Sequence, residues 1–197
     1  MTKKAKYLIL DTEATGLHSS TNCLLQVGII IVDEKLNKLA EKVWEIELDS
    51  NSVIDPEAMA VNGINIENRL AQVSQNKFCL EFFEIVEKNF VVQPIIIAQF
   101  YPFDYSFLDA IFTKNGFGSR LSKEVLGNNF IDTKSLANYF NLKASINNLH
   151  VPFPVTSLSK EGGLADTLGI YGFKAHTALG DCQATLEVLK AYLKGSF

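Results

Sequence analysis

Residues 8–17, LILDTEATGL, begin as a buried strand would and then set Asp11 and Glu13 two positions apart. Side chains alternate along a strand, so these two carboxylates share one face while Thr12 points to the other. Like charges so close repel one another, and burying them dry is costly. Solvent at a strand end relieves that cost, and so does a cation. A plainer reading takes DTEATG as no more than the exit from a strand, with Gly16 making a turn. These residues alone leave both readings open.

Outward from this stretch, the first third of the chain reads as a meander. LLQVGIIIVD, residues 24–33, is rich in β-branched residues; a polar turn follows, and LAEKVWEIEL, residues 39–48, returns. Three strands are expected, as antiparallel neighbours. Residues 55–64 predict a short helix, with Asp55 as N-cap, Pro56 at the first helical position and Gly63 closing it. Phe78, Phe82, Ile85 and Val86 recur at helical spacing over 75–89, and IIIA at 95–98 predicts a strand. Phe103, Phe107, Leu108, Ile111 and Phe112 mark the next helix. Residues 129–140 predict a brief strand that passes through Asp132 and Thr133 into another helix. Residues 141–158 show no clean period and are expected to form an irregular loop, and 157–170 a short helix weakened by Gly162 and Gly163. A last helix is expected from about Ala178 to Lys194, on the stripe Cys182, Leu186, Leu189, Leu193. Strands first, then helices alternating with strands, predict an α/β fold with a mixed sheet.

With 197 residues, 47% hydrophobic and 20% charged, the composition is that of an ordinary globular protein and fits one domain over 1–197. Cys23, Cys79 and Cys182 are odd in number and far apart, so neither a disulfide framework nor a zinc ribbon is indicated, and a reducing cytoplasm is the expected compartment. Lys3, Lys4 and Lys6 resemble the basic start of a signal peptide, but the apolar run after them stops at Asp11. No stretch is long enough for a membrane span. The net charge of −4 argues against a broad basic surface for long nucleic acid. It does not exclude gripping one chain end through bound cations, which supply positive charge where the phosphate sits.

Asp104, in QFYPFDYSFL, lies between Phe103 and Phe107 at a helix start, where an N-cap is the plain alternative. Asp181, in HTALGDCQATLEVL, falls in the first turn of the last helix, where a carboxylate also favours the dipole. His176 precedes it by five residues. Were both helical they would stand roughly 140° apart, since five residues advance about 500° at 3.6 per turn. Thr177 as N-cap instead puts His176 on the flank before the helix, able to turn towards what Asp181 holds.

These segments resemble the motifs of the DEDDh exonucleases, also called DnaQ-like. The resemblance runs from Tyr7 to Leu193: DTEATGL with Asp11 and Glu13, then FDYSFL with Asp104, then HTALGDCQAT with His176 and Asp181. AMAVNGI and FIDT stand where the family has similar segments. Each motif alone is weak, and their order is what carries the likeness.

The resemblance implies a ribonuclease H-like mixed sheet of about five strands, the first three antiparallel, flanked by helices. It implies stepwise 3′→5′ hydrolysis of single-stranded nucleic acid to nucleoside 5′-monophosphates, with two divalent cations, Mg²⁺ or Mn²⁺ in its place. Such chemistry suits hard ions and oxygen ligands, because a phosphodiester is anionic and repels hydroxide. By resemblance Asp11, Glu13, Asp104 and Asp181 hold the metals and His176 is the general base, taking the proton from the attacking water. Ala14, Thr15, Leu17, Asn62 and Phe103 are expected to touch the terminal nucleotide. The chain departs from the family at Asn62 and Gln99, where His is usual, at Phe100, often Asn, and at Ala14, commonly Thr. Phe100, Tyr101 and Phe103 stand between two roles, stacking on unpaired bases or packing in the core. RNA trimming or oligoribonuclease activity, and a non-catalytic nucleic-acid-binding module on the same fold, remain the alternatives to a DNA exonuclease. No tail to tether a polymerase is evident, so a stand-alone enzyme is expected.

Overall fold

The computed structural model describes residues 4–69, 72–195 and 197, which leaves Lys3 outside the described residues. Five strands form one mixed sheet in the order β3-β2-β1-β4-β5: β1 (Ala5–Ala14), β2 (Leu24–Asp33), β3 (Lys38–Glu45), β4 (Ile95–Ala98) and β5 (Phe130–Asp132). β1 to β3 pair antiparallel, while β4 runs parallel to both β1 and β5. The sheet class and the antiparallel start are as the sequence predicts. The apolar runs of β1, β2 and β4 leave no polar face, because helices cover both sides.

The two faces of β1 meet different helices. Leu8 and Leu10 share a core with α2 (Gln75–Asn89), α3 (Tyr101–Lys114) and α4 (Gly118–Glu124), while the short α1 (Pro56–Asn62) precedes α2 in the chain. There Trp44, Phe78, Phe82 and Phe112 stack edge-on or tilted, with centroids 5.4 to 5.7 Å apart. Ile9 on the other face packs with Cys182, Leu186 and Leu189. These come from α7 (Ala178–Lys194), which is flanked by α5 (Thr133–Ile146) and α6 (Leu164–Thr167).

Several boundaries differ from expectation, each for a local reason. β1 continues through Asp11 and Glu13 to Ala14, so the acidic pair lies within the strand and not at its exit. β3 stops at Glu45; Ile46 then bridges to Val73 and the chain leaves the sheet. Residues 141–146 are helical, not loop: the inner stripe of α5 is Ala137, Phe140 and Ala144, two of them small, while Leu142 and Ile146 face solvent and blur the period. The helix at 157–170 is reduced to α6, because Gly162 is left-handed at φ 69 and Gly163 takes the N-cap. The seven-residue α4, with Leu121 alone buried, carries too little pattern to be seen in advance. Among the described residues no helix is long and apolar enough to cross a membrane.

Candidate active site

The alternation of β1 aims Asp11 and Glu13 at the start of α7 and Thr12 at the start of α3. One oxygen from each of Asp11, Glu13 and Asp181 lies within 4.8 Å of the others. On the opposite face the Thr12 hydroxyl donates to Asp104 Oδ1 at 2.8 Å. Asp104 is not the N-cap of α3, a position taken by Phe100; it sits inside the first turn, buried against the strand. Four carboxylates from three elements thus gather at one edge of β1, three in a cluster and the fourth held beside it by Thr12.

Two glycines let α7 come this close. Gly28 pairs with Asp11 across β1 and β2, and a Cβ there would lie 2.5 Å from the backbone carbon of Ala178. Cys182 Sγ in turn donates to the Gly28 carbonyl at 3.2 Å. At Gly180 a Cβ would fall 2.0 Å from the Lys174 carbonyl, so glycine allows the 174–177 loop to fold over the helix's first turn. Thr177 caps that turn, its hydroxyl accepting from Gly180 N–H at 3.3 Å. His176 is left-handed at φ 58, and its backbone N–H donates to Asp181 Oδ2 at 3.1 Å. Asp181 Oδ1 is buried and has no hydrogen-bond partner among the described residues.

Burial first, then mutual repulsion, raises the carboxyl pKa values. Asp11 is pushed well above the usual range by burial, then by Asp104, Asp181 and Glu13. Burial, and then Asp181, lifts Glu13 to about 8. Burial lifts Asp104 to about 8 against the opposing hydrogen bond from Thr12, and Asp181 to about 6 against the opposing charge and N–H of His176. A half-buried set of acceptors that repel one another, one of them an orphan oxygen of buried Asp181, fits a hard divalent cation held by Asp11, Glu13 and Asp181.

Two clefts flank the cluster. The smaller, about 290 Å³, is lined by Glu13, Ala14, Leu17, Val61, Asn62 and Phe103. Leu17 and Val61 stand exposed at its mouth. The larger, about 520 Å³, is lined by His176, Gln26, Asn62, Asn65, Arg69 and Lys174. Asn62 forms part of both walls, and its amide ties α1 to the strand: Nδ2 donates to the Ala14 carbonyl at 3.1 Å, and Oδ1 accepts from Ile64 N–H at 3.0 Å.

Ala14, Leu17, Asn62 and Phe103 are therefore brought together. Thr15 is not among them. It is fully buried, its hydroxyl donating to the Val53 carbonyl at 2.7 Å and accepting from Cys23 N–H at 3.0 Å. It clips the loop in place, and its side chain does not line the cleft. Gly28 and Thr12 are the positions that sequence reading passed over. A glycine inside the apolar run 24–33 was the available signal for the first, since such glycines mark close approach of another backbone.

A family model described as RNase_T, Exonuclease, matches residues 8–189. The chain belongs to this exonuclease family. It is 30% identical over 117 residues to ribonuclease T of Shewanella denitrificans, a match covering 55% of this chain and 52% of that protein. Against ribonuclease T of Histophilus somni it is 26% identical over 201 residues, covering 92% of this chain and 80% of the relative. The chain thus spans about half the length of most of the ribonuclease T sequences it matches. Among solved structures, E. coli exonuclease I in complex with a dT13 oligonucleotide superposes with a TM-score of 0.74 at 18% identity. Exonuclease I of Methylocaldum szegediense gives 0.75 at 20%. Each covers 95% of this chain and 40% of the other, which establishes the shared fold.

Proposed function

We propose that this chain is a metal-dependent 3′→5′ exonuclease that hydrolyses the terminal phosphodiester of single-stranded nucleic acid and releases nucleoside 5′-monophosphates. The observation that carries this reading is the convergence of Asp11, Glu13 and Asp181 within 4.8 Å, beside a loop that hands His176 to the same carboxylate. Family membership and the exonuclease I fold support it.

In this reading Asp11, Glu13 and Asp181 hold divalent metal, with Asp104 serving a second ion; two Mg²⁺ are proposed, with Mn²⁺ as substitute. When bound, such ions neutralise the phosphate and lower the pKa of water. The protein's own part is positional and basic. The imidazole of His176 takes the proton from the attacking water, as a general base. Leu17 and Phe103 enclose the terminal base in the smaller cleft, so that only a chain end enters. Residues 1–197 act as one exonuclease domain, in the cytoplasm.

Single-stranded DNA is proposed as the preferred substrate. A second reading, RNA 3′-end trimming, is favoured by the similarity to ribonuclease T. Matched 5′-labelled DNA and RNA oligomers of several lengths, incubated with Mg²⁺, test both. Stepwise ladders ending in mononucleotides, abolished by EDTA, are expected, faster on DNA. Binding without cleavage of either polymer would leave the module reading instead.

A further inference from the structure

Three aromatic residues surround the start of α3, and only one of them stands out into solvent. Tyr101 is 4% exposed, its ring centroid 4.6 Å from that of Phe130. Phe103 packs on Phe107 at 5.0 Å and lines the smaller cleft. Phe100 is 48% exposed. Its backbone is left-handed, φ 67 and ψ 54, a conformation that is strained for a residue with a Cβ.

The surroundings hold it there. The N–H groups of Phe100 and Tyr101 donate to the two oxygens of Asp132, at 3.4 and 3.0 Å. Gln99 accepts from the Thr133 hydroxyl and donates to the Thr156 carbonyl at 2.8 Å. The Lys134 ammonium lies 4.2 Å from the Phe100 ring centroid. An ammonium covers one face of a ring, and nearly half of this residue still meets solvent.

Register places Phe100 near the catalytic end of the sheet. Ile9 pairs with Ile97 and β4 ends one residue later at Ala98, so Phe100 follows two residues beyond the end of the strand that runs beside β1. It lies on the β4–β5 side of Asp11, whereas Ala178 N–H, two residues after His176, donates to Gln26 Oε1, and His176 lines the cleft that Gln26 and Glu45 also line, on the β2–β3 side.

We infer that Phe100, backed by Lys134, is a stacking platform for an unpaired base upstream of the bond being cut, with Lys134 meeting an adjacent backbone phosphate. This rests on the exonuclease reading. One fixed ring with one cation is too small an apolar surface for a protein partner, and it matches the repeating unit of a single strand, a base with one anionic phosphate. Left-handed strain at an exposed aromatic is otherwise a cost with no packing return.

The test uses Phe100→Asn and Phe100→Trp. Asparagine accepts the left-handed backbone, so the first variant should keep its melting temperature while losing the ring. Fluorescence anisotropy of a labelled 12-nucleotide strand in EDTA should show binding weakened by roughly 5–100-fold in Phe100→Asn, the worth of one stacked base. Phe100→Trp should stay within about twofold of the parent, by the same stacking argument. Hydrolysis of the p-nitrophenyl ester of thymidine 5′-monophosphate, which has no upstream base, should be unchanged in both. Lys134→Gln should reduce the slope of log affinity against log salt by about 0.7, one phosphate contact on a single strand. Parent-like strand binding by Phe100→Asn overturns the platform, as does an equal loss on the ester. If the parent cleaves neither substrate, the exonuclease reading fails, and the anisotropy still decides whether Phe100 grips the strand.

Discussion

His176 and Asp181 are joined through the histidine's backbone, not its ring: the N–H donates to Asp181 Oδ2 at 3.1 Å while Oδ1 stays buried and, among the described residues, unpartnered. The peptide group thus orients the carboxylate. Because His176 is left-handed and directly precedes Thr177, the N-cap of α7, its position follows from the fold of the 174–177 loop over Gly180.

His176→Ala keeps that peptide N–H. Turnover should fall by roughly 10²–10⁴, the usual worth of a general base, while the metal-induced rise in melting temperature stays as in the parent. A loss below about tenfold would move the base to another residue.

Gly28→Ala tests whether α7 must touch β2. Its Cβ would lie 2.5 Å from the Ala178 backbone, and backbone cannot swing aside as a side chain can. The first turn of α7 should shift, carrying Asp181 away from Asp11, at a cost of about 1–3 kcal/mol in urea unfolding. The response to Mn²⁺ should shrink with it. A variant as stable and as metal-responsive as the parent would show that the helix has slack.

The same alternation that makes the site also explains what could be read in advance. Asp11 and Glu13 were legible because period two is a backbone property, and Asp104, His176 and Asp181 because their segments keep their order along the chain. The helix ends at 56 and 178 were legible because Asp55 and Thr177 are side-chain caps with a local signature. The fate of Thr15 was not, since its burial depends on Val53 and Cys23, contacts of the folded state. Nor could sequence choose among Phe100, Tyr101 and Phe103, because which ring faces solvent is set by Asp132, over thirty residues away.

The raised carboxyl pKa values give the metal-free protein a pH dependence of definite sign. An unfolded chain releases these protons near pH 4, whereas folded Glu13 and Asp104 hold theirs to about 8 and Asp181 to about 6. Between those limits the native state binds more protons than the unfolded one, so stability falls as pH rises, by up to about 1.4 kcal/mol per unit for each such proton. The contribution is complete below the unfolded values and lost as pH passes the folded ones. Asp33 and Asp49, lowered by their hydrogen bonds, act in the opposite sense but only under about pH 4. Melting in EDTA should therefore occur at a lower temperature at pH 8 than at pH 5, and divalent metal should close the gap. A flat or rising profile in EDTA would mean that the carboxylates do not repel.

Asp181→Ala separates a metal cage from a helix-dipole carboxylate. If Asp11, Glu13 and Asp181 converge on a cation bound only by the native state, metal at one hundred times its dissociation constant stabilises the parent by about 2.7 kcal/mol. Removing Asp181 takes away a ligand and also a charge that raises the pKa values of Asp11 and Glu13. Cleavage should vanish and the metal-induced rise should shrink, while the melting temperature in EDTA at pH 8 stays equal or climbs. A carboxylate serving the dipole alone predicts a different pattern, a loss of about 0.3–1 kcal/mol with or without metal and cleavage intact. Calorimetry of both proteins in EDTA and in Mn²⁺ reads the two patterns directly. A metal response in Asp181→Ala as large as the parent's would refute the cage.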